Sequence, residues 1–236
     1  MSKNLLLLSN STLKGEPYFS WPLPYFEAFV RKHSISDIAF VPYAAVTFSF
    51  EEYTRIFSEA IEGLGLKVHN VAEDQEALSS ASAIAVGGGN TFALLKRCYE
   101  SGAIETIQKR VNGGTPYSGW SAGANLSCPM LCTTNDMPIV EPPSFNALNL
   151  VPFQINPHYT DRTLDGHGGE SRDTRIKEYL AMNQDMYVAG IPEGALIELE
   201  NGAIDYKGKG TLKVFKYGQE TQLFQPGDNV SMLLNK

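Results

Sequence analysis

The run TPYSGWSAGANLSCP (115–129) contains Gly-x-Ser-x-Gly at residues 119–123. In a nucleophile elbow, a sharp strand-to-helix turn thrusts a serine oxygen into solvent, and only small neighbours fit around it. Apolar residues lead into Ser121 and AGANL follows as a helix start, so acyl transfer through a seryl ester is the chemistry this stretch can support. The competing reading is a small residue in a tight turn. A second glycine-rich stretch, GGGN (87–90), places bare backbone N–H groups at another helix start, which suits an anion or a developing oxyanion. Neither G-x-G-x-x-G nor G-x-x-x-x-G-K-[ST] occurs, which argues against a nucleotide site. If the strands before the two turns pair, one amide from the glycine turn and the amide of Ala122 face a single oxygen.

A serine hydroxyl needs a base, and histidine serves near neutral pH. Of the four histidines, His33 closes a surface helix, His69 lies in an edge strand, and His167 sits in the loop DGHGGE. His158 closes the apolar run VPFQINPH, where a side chain would project from a sheet, and it is the candidate base. The imidazole in turn wants a carboxylate to fix its tautomer. Asp136, Asp161, Glu170 and Glu193 are all available; Glu193 follows the strand-like VAGIP, and Asp136 in TTNDMP is its rival. An order Ser, His, Glu along the chain would differ from the Ser, Asp/Glu, His order of α/β-hydrolases.

The elements that must carry these residues alternate. NLLLLS (4–9), DIAFVPYA (37–44), LKVHNV (66–71), SAIAVGGG (82–89) and TPYSGW (115–120) read as strands. PYFEAFVRKH (24–33), SFEEYTRIFSEAIEGLG (49–65), EDQEALSSA (73–81) and NTFALLKRCYESG (90–102) read as helices. Alternation of this kind predicts an α/β fold with a mostly parallel sheet covered by helices on both faces. Residues 133–173 are rich in Pro, Asn, Asp and Gly, with one strand in LVPFQINPHY; a helix at 171–182 and a strand at 186–194 follow. The tail has turn signals at Asn201-Gly202 and around Lys207 to Gly210, and predicts an antiparallel hairpin extension on the sheet edge. All 236 residues are expected to form a single domain.

Composition excludes several classes. A formal charge of −7 without any Lys/Arg-rich run argues against nucleic acid as a partner. LLLL (5–8) is too short for a signal peptide and reads as a buried strand, and nothing approaches the roughly 20 apolar residues of a membrane span. The expectation is a cytoplasmic protein with no membrane partner. An odd set of three cysteines suits reduced thiols. Cys128 and Cys132 lack a second pair or a nearby histidine, so neither zinc nor another metal or cofactor is expected.

Together, LLLLSNST (5–12), VGGGNTF (86–92), GWSAGAN (119–125), TTNDMPIV (133–140), QINPHY (154–159) and IPEG (191–194) resemble peptidase E, the aspartyl dipeptidases. The resemblance runs in register from about residue 4 to 217. It implies a serine hydrolase on a class I glutamine-amidotransferase-like scaffold, with serine where the amidotransferases carry cysteine. It further implies a Ser121, His158, Glu193 triad, with the amides of Gly89 and Ala122 as oxyanion donors. The reaction implied is hydrolysis of the bond after an N-terminal aspartate, with small acidic dipeptides as substrates. A P1 carboxylate calls for a bidentate cation, for which Arg172 in GGESRD is placed; Asp136 can hold the free amine, and Asn90 joins the substrate-binding residues. A cyanophycin-type or aspartyl-amide hydrolase is one alternative, against which NDMPIV and GESR speak. A non-catalytic ligand-binding member of the fold is the other. Monomer and homodimer both remain open.

Overall fold

The structure is a computed structural model, and it describes residues 3–161 and 169–235. In chain order the elements are β1 (Leu5–Leu8), α1 (Leu23–Lys32), β2 (Asp37–Val41), α2 (Phe50–Ala60), β3 (Lys67–Asn70), α3 (Ala77–Ser80), β4 (Ala83–Val86), α4 (Thr91–Glu100), α5 (Ala103–Asn112), β5 (Tyr117–Trp120) and α6 (Ala122–Leu126). The second half adds β6 (Gln154–Tyr159), α7 (Arg172–Met182), β7 (Tyr187–Pro192), β8 (Ala195–Glu200), β9 (Ala203–Gly208), β10 (Leu212–Lys216) and β11 (Gln222–Phe224).

The main sheet has the order β3-β2-β4-β5-β1-β8-β9. Its first five strands are parallel, while β8 and β9 join antiparallel on the β1 side. Residues 5–8 are apolar without alternation because both faces of β1 are covered. Leu5 and Leu7 point into a core shared with α4 and α5, and Leu6 and Leu8 into one shared with α1 and α2. On the latter face Phe19, Phe26, Phe40, Phe57 and Trp120 pack ring against ring.

The strands expected within LVPFQINPHY and over 186–194 are β6 and β7, and they lie in a second sheet, β11-β10-β7-β6. Ile155, Ala189, Ile191 and Val214 pack into the core beside β1, while α7 covers the other side through Ile176 and Leu180 against Val188 and Phe215. The hairpin expected at Asn201-Gly202 joins β8 and β9, both turn residues having positive φ (50° and 78°), as a type I′ turn requires. The turn near Lys207 to Gly210 is not a hairpin; it carries the chain from β9 to β10, which belongs to the other sheet. The helix expected over 73–81 shrinks to α3, and α5 is an additional helix, separated from α4 by Ser101 and by Gly102 at φ 71°.

Candidate active site

Side-chain caps fix the helices that start near the site. The Ser49 hydroxyl accepts from the Glu52 amide before α2 (3.0 Å), the Asn90 carbonyl oxygen from the Ala93 amide before α4 (3.0 Å), and the Ser171 hydroxyl from the Thr174 amide before α7 (3.1 Å). Ser121 occupies the turn from β5 to α6 with φ 52° and ψ −110°. A non-glycine residue holds that conformation only where its surroundings enforce it, at a cost of about 1–3 kcal/mol. Here the enforcement is visible. The Ser121 amide donates to the Leu8 carbonyl (3.0 Å), and the Asn125 amide donates to the Ser121 carbonyl (3.0 Å). Both glycines of the elbow are sterically required: a Cβ on Gly119 would lie 2.5 Å from the Gly123 oxygen, and one on Gly123 would lie 2.1 Å from the Val86 oxygen.

His158 Nε2 lies 2.9 Å from Ser121 Oγ, and His158 Nδ1 lies 2.8 Å from Glu193 Oε1. The three side chains form one line from carboxylate to hydroxyl, contributed by the ends of β7, β6 and β5. With Nδ1–H donating to Glu193, Nε2 is left as an acceptor for the serine proton. His158 also has positive φ, 52°. The imidazole is 39% exposed and the carboxylate 53%, so the line opens to solvent. Ser121 and His158 border a cavity of about 300 Å³, closed elsewhere by Ser11, Thr12, Phe48 and the Gly88–Gly89 turn.

That turn is held from behind. Tyr53 Oη donates to the Gly88 carbonyl (3.0 Å) and accepts from Trp120 Nε1 (3.1 Å). The Gly88 carbonyl and the Gly89 N–H belong to one trans peptide unit and point in opposite directions. Tyr53 therefore fixes the plane that sends the Gly89 N–H away from the buried ring. Burial pushes the Tyr53 phenol up, with Trp120 and Gly88 opposing, which keeps it a neutral donor. Gly89 has φ 136°, and a Cβ there would lie 2.3 Å from the Ala44 oxygen, so the position admits glycine alone.

The sequence matches a known family: the model described as "Peptidase family S51" covers residues 5–207. The chain belongs to this peptidase family. It is 44% identical to peptidase E of Nostoc sp. (strain PCC 7120) across its whole length and 98% of that relative, and 45% identical to peptidase E of Haemophilus influenzae over 85% of this chain and 93% of the relative. A crystal structure of a Listeria monocytogenes EGD-e protein assigned to peptidase E superposes with a TM-score of 0.66 at 26% identity, covering 89% of this chain and all of the other. A peptidase from an acI-B1 Actinobacterium shares the fold, with a TM-score of 0.73 at 16% identity over 98% of this chain and 97% of that one. As an S51 peptidase the protein is a hydrolase, a serine peptidase.

The other carboxylates considered for the triad have different partners. Asp136 accepts from the Thr91 amide (2.7 Å) and from the Thr91 hydroxyl, Asp161 pairs with Lys213 (2.9 Å), and Glu170 lies 4.0 Å from Arg175. His69 stands between Asp37 and Asp74, His33 lies near Glu200, and His167 falls outside the described residues. Asn90 caps α4 and donates through Nδ2 to the Met137 carbonyl (2.9 Å). Arg172 and Asp136 share a second cavity of about 140 Å³ with Asn156 and Arg175. The Thr91 amide bound by Asp136 is two residues along the chain from Gly89, which lines the first cavity. Burial, then Arg175, pulls the Arg172 guanidinium below its ordinary value, so an anion in this cavity would favour its charged form. Cys128 is buried with its thiol pushed up to about 12, Cys132 is exposed, and among the described residues no group of His, Cys, Asp or Glu could hold a metal ion. Among the described residues no helix is long and apolar enough to cross a membrane.

Reading of the sequence overlooked Ser9, Asn10 and Tyr53 as site residues. Two of them carry a signal. Ser9 and Asn10 directly follow an all-apolar parallel strand, at the carboxyl end where open α/β sheets build their sites.

Proposed function

We propose that the protein is a cytoplasmic aspartyl dipeptidase that hydrolyses Asp-X dipeptides through Ser121, His158 and Glu193. The carrying observation is the continuous line Glu193–His158–Ser121, at 2.8 and 2.9 Å, ending on a serine of positive φ. In this reading His158 Nε2 takes the hydroxyl proton as Ser121 Oγ attacks the scissile carbonyl carbon. The carbonyl oxygen becomes an oxyanion held by the Gly89 and Ala122 amides, the former aimed by Tyr53. Collapse of the tetrahedral adduct breaks the C–N bond, and His158 returns its proton to the leaving amine. Water, deprotonated by the same imidazole, then cleaves the aspartyl ester and regenerates Ser121. Glu193 holds the tautomer and stabilises the transient imidazolium.

Specificity is assigned to the second cavity. Arg172 offers a planar fork to the P1 carboxylate and Asp136 a carboxylate to the substrate's free amine, both from the lining of this cavity, while Asn90 holds the Met137 carbonyl beside Asp136. A protein of net charge −7 that nonetheless sets two arginines side by side in a cavity has the local charge an acidic side chain needs. Hydrolysis of matched Asp-Leu, Glu-Leu, Asn-Leu and Ala-Leu tests the assignment. Asp-Leu should exceed each of the others at least thirtyfold in kcat/KM, and equal rates on Asp-Leu and Ala-Leu would sink it.

A further inference from the structure

The residues at the end of β1 contact the backbones of Ser121 and His158 and of Ile191 and Gly194, which flank Glu193. The Leu8 carbonyl accepts from the Ser121 amide (3.0 Å). The Ser9 hydroxyl accepts from the His158 amide (2.8 Å) and donates to the Ile191 carbonyl (2.8 Å), two residues before Glu193. Asn10 Oδ1 accepts from the Gly194 amide (2.9 Å), immediately after Glu193, while Asn10 Nδ2 donates to the Thr12 carbonyl (2.8 Å). Ser9 is fully buried and Asn10 nearly so.

The reason for a polar pair here is a defect in the second sheet. Strands β6 and β7 run parallel, with Asn156 opposite Gly190 and Tyr159 opposite Pro192. Pro157 and His158 therefore stand against Ile191 alone, which is a bulge, and a bulge disrupts the ladder locally. Pro157 has no N–H to give, and His158 has turned to φ 52°. A hydroxyl that both donates and accepts replaces the missing rung: it takes the His158 N–H on one side and gives its proton to Ile191 on the other. The bulge aims the imidazole at Ser121, and Ser9 is what makes the bulge affordable in a buried place. Asn10 clamps the far side of Glu193 in the same manner.

We infer that Ser9 and Asn10 are positioning residues that set the His158–Glu193 pair against Ser121, acting through backbone contacts and without touching the reacting atoms. The inference rests on the triad reading above. A general base displaced by about 1 Å loses on the order of a hundredfold in rate, so Ser9→Ala should lower kcat on Asp-Leu about 10- to 100-fold with KM within about twofold.

The decisive experiment is a cycle of Ser9→Ala and His158→Ala, read as turnover per serine labelled by a fluorophosphonate at completion, together with melting curves. Because Ser9 acts through His158, Ser9→Ala should cost less than about twofold once His158 is already alanine. An equal loss in both backgrounds would show a general packing role and overturn the inference, as would a Ser9→Ala enzyme with unchanged kcat. Asn10→Ala provides an independent arm, with the same pattern expected against Glu193→Ala. Should His158→Ala alone retain more than about a tenth of wild-type turnover, the triad reading itself fails, an outcome distinct from a full His158 effect with no Ser9 effect.

Discussion

Arg172→Ala should separate recognition of the substrate from the chemistry at Ser121. Arg172 opens α7 and is half-buried, with Arg175 in the same cavity, and both burial and that neighbour disfavour its charge. It stays a cation regardless, because a guanidinium starts far above any working pH. A P1 aspartate would add two charge-assisted hydrogen bonds and relieve the repulsion between the arginines. Fully desolvated pairs of this type are worth about 2–5 kcal/mol when one partner is removed, and partial exposure of Arg172 places this pair near the lower end, about 2–3 kcal/mol. At 1.36 kcal/mol per decade that is roughly a 30- to 150-fold loss of kcat/KM on Asp-Leu. Asn-Leu should change little, since its amide gains nothing from the charge, and Glu-Leu should already be poor because an extra methylene carries the carboxylate out of register with a fixed fork. Lysine at 172 would restore charge without the fork and recover only part of the loss. The assay pairs steady-state hydrolysis of these dipeptides with the labelling rate of Ser121 by a small uncharged fluorophosphonate, which should stay within about twofold of wild type. Parallel loss of labelling and hydrolysis would mean that Arg172 supports the fold or the triad, and unchanged discrimination between Asp-Leu and Asn-Leu would remove it from the pocket.

Ser121→Ala and His158→Ala should each lower turnover on Asp-Leu by several orders of magnitude with melting curves intact, and Glu193→Ala by less, because nucleophile and base act as a unit. Tyr53→Phe removes the hydroxyl between Trp120 Nε1 and the Gly88 carbonyl while keeping the ring, so kcat should fall about tenfold at constant KM; an unaltered kcat would show that the Gly88–Gly89 peptide is held without it. Every group invoked in the mechanism is a side chain or a backbone amide, so activity should survive EDTA, and loss with recovery on adding zinc would overturn the serine mechanism.

What could be read from the sequence and what could not divides along the distance between interacting residues. Three of the parallel strands, β1, β2 and β4, are short apolar runs with local boundaries, and the elbow is a local steric requirement: Gly119 and Gly123 are needed within a span of five residues. The helix α5 escaped because α4 ends only two residues before it, and the break depends on the φ of Gly102, which composition does not reveal. The second sheet escaped because apolar runs at 154–159 and 187–192 say that strands exist and nothing about which sheet receives them; pairing with β10 and β11 is decided by packing on the core beside β1. The same limit governs the acid partner of His158. The strand-like VAGIP favours Glu193 over Asp136, Asp161 and Glu170 without excluding them, and they differ in the structure because Thr91, Lys213 and Arg175 lie beside Asp136, Asp161 and Glu170, and His158 beside Glu193. Ser9 is the extreme case, since its meaning depends on a bulge formed 149 residues further along the chain. A catalytic base aimed by a bulge needs a buried donor and acceptor to complete the ladder, and that need is created only when the two sheets meet. Positioning residues of this kind are therefore to be sought where a strand of one sheet ends in small polar side chains against an irregular strand of another, and not in the motif that holds the nucleophile.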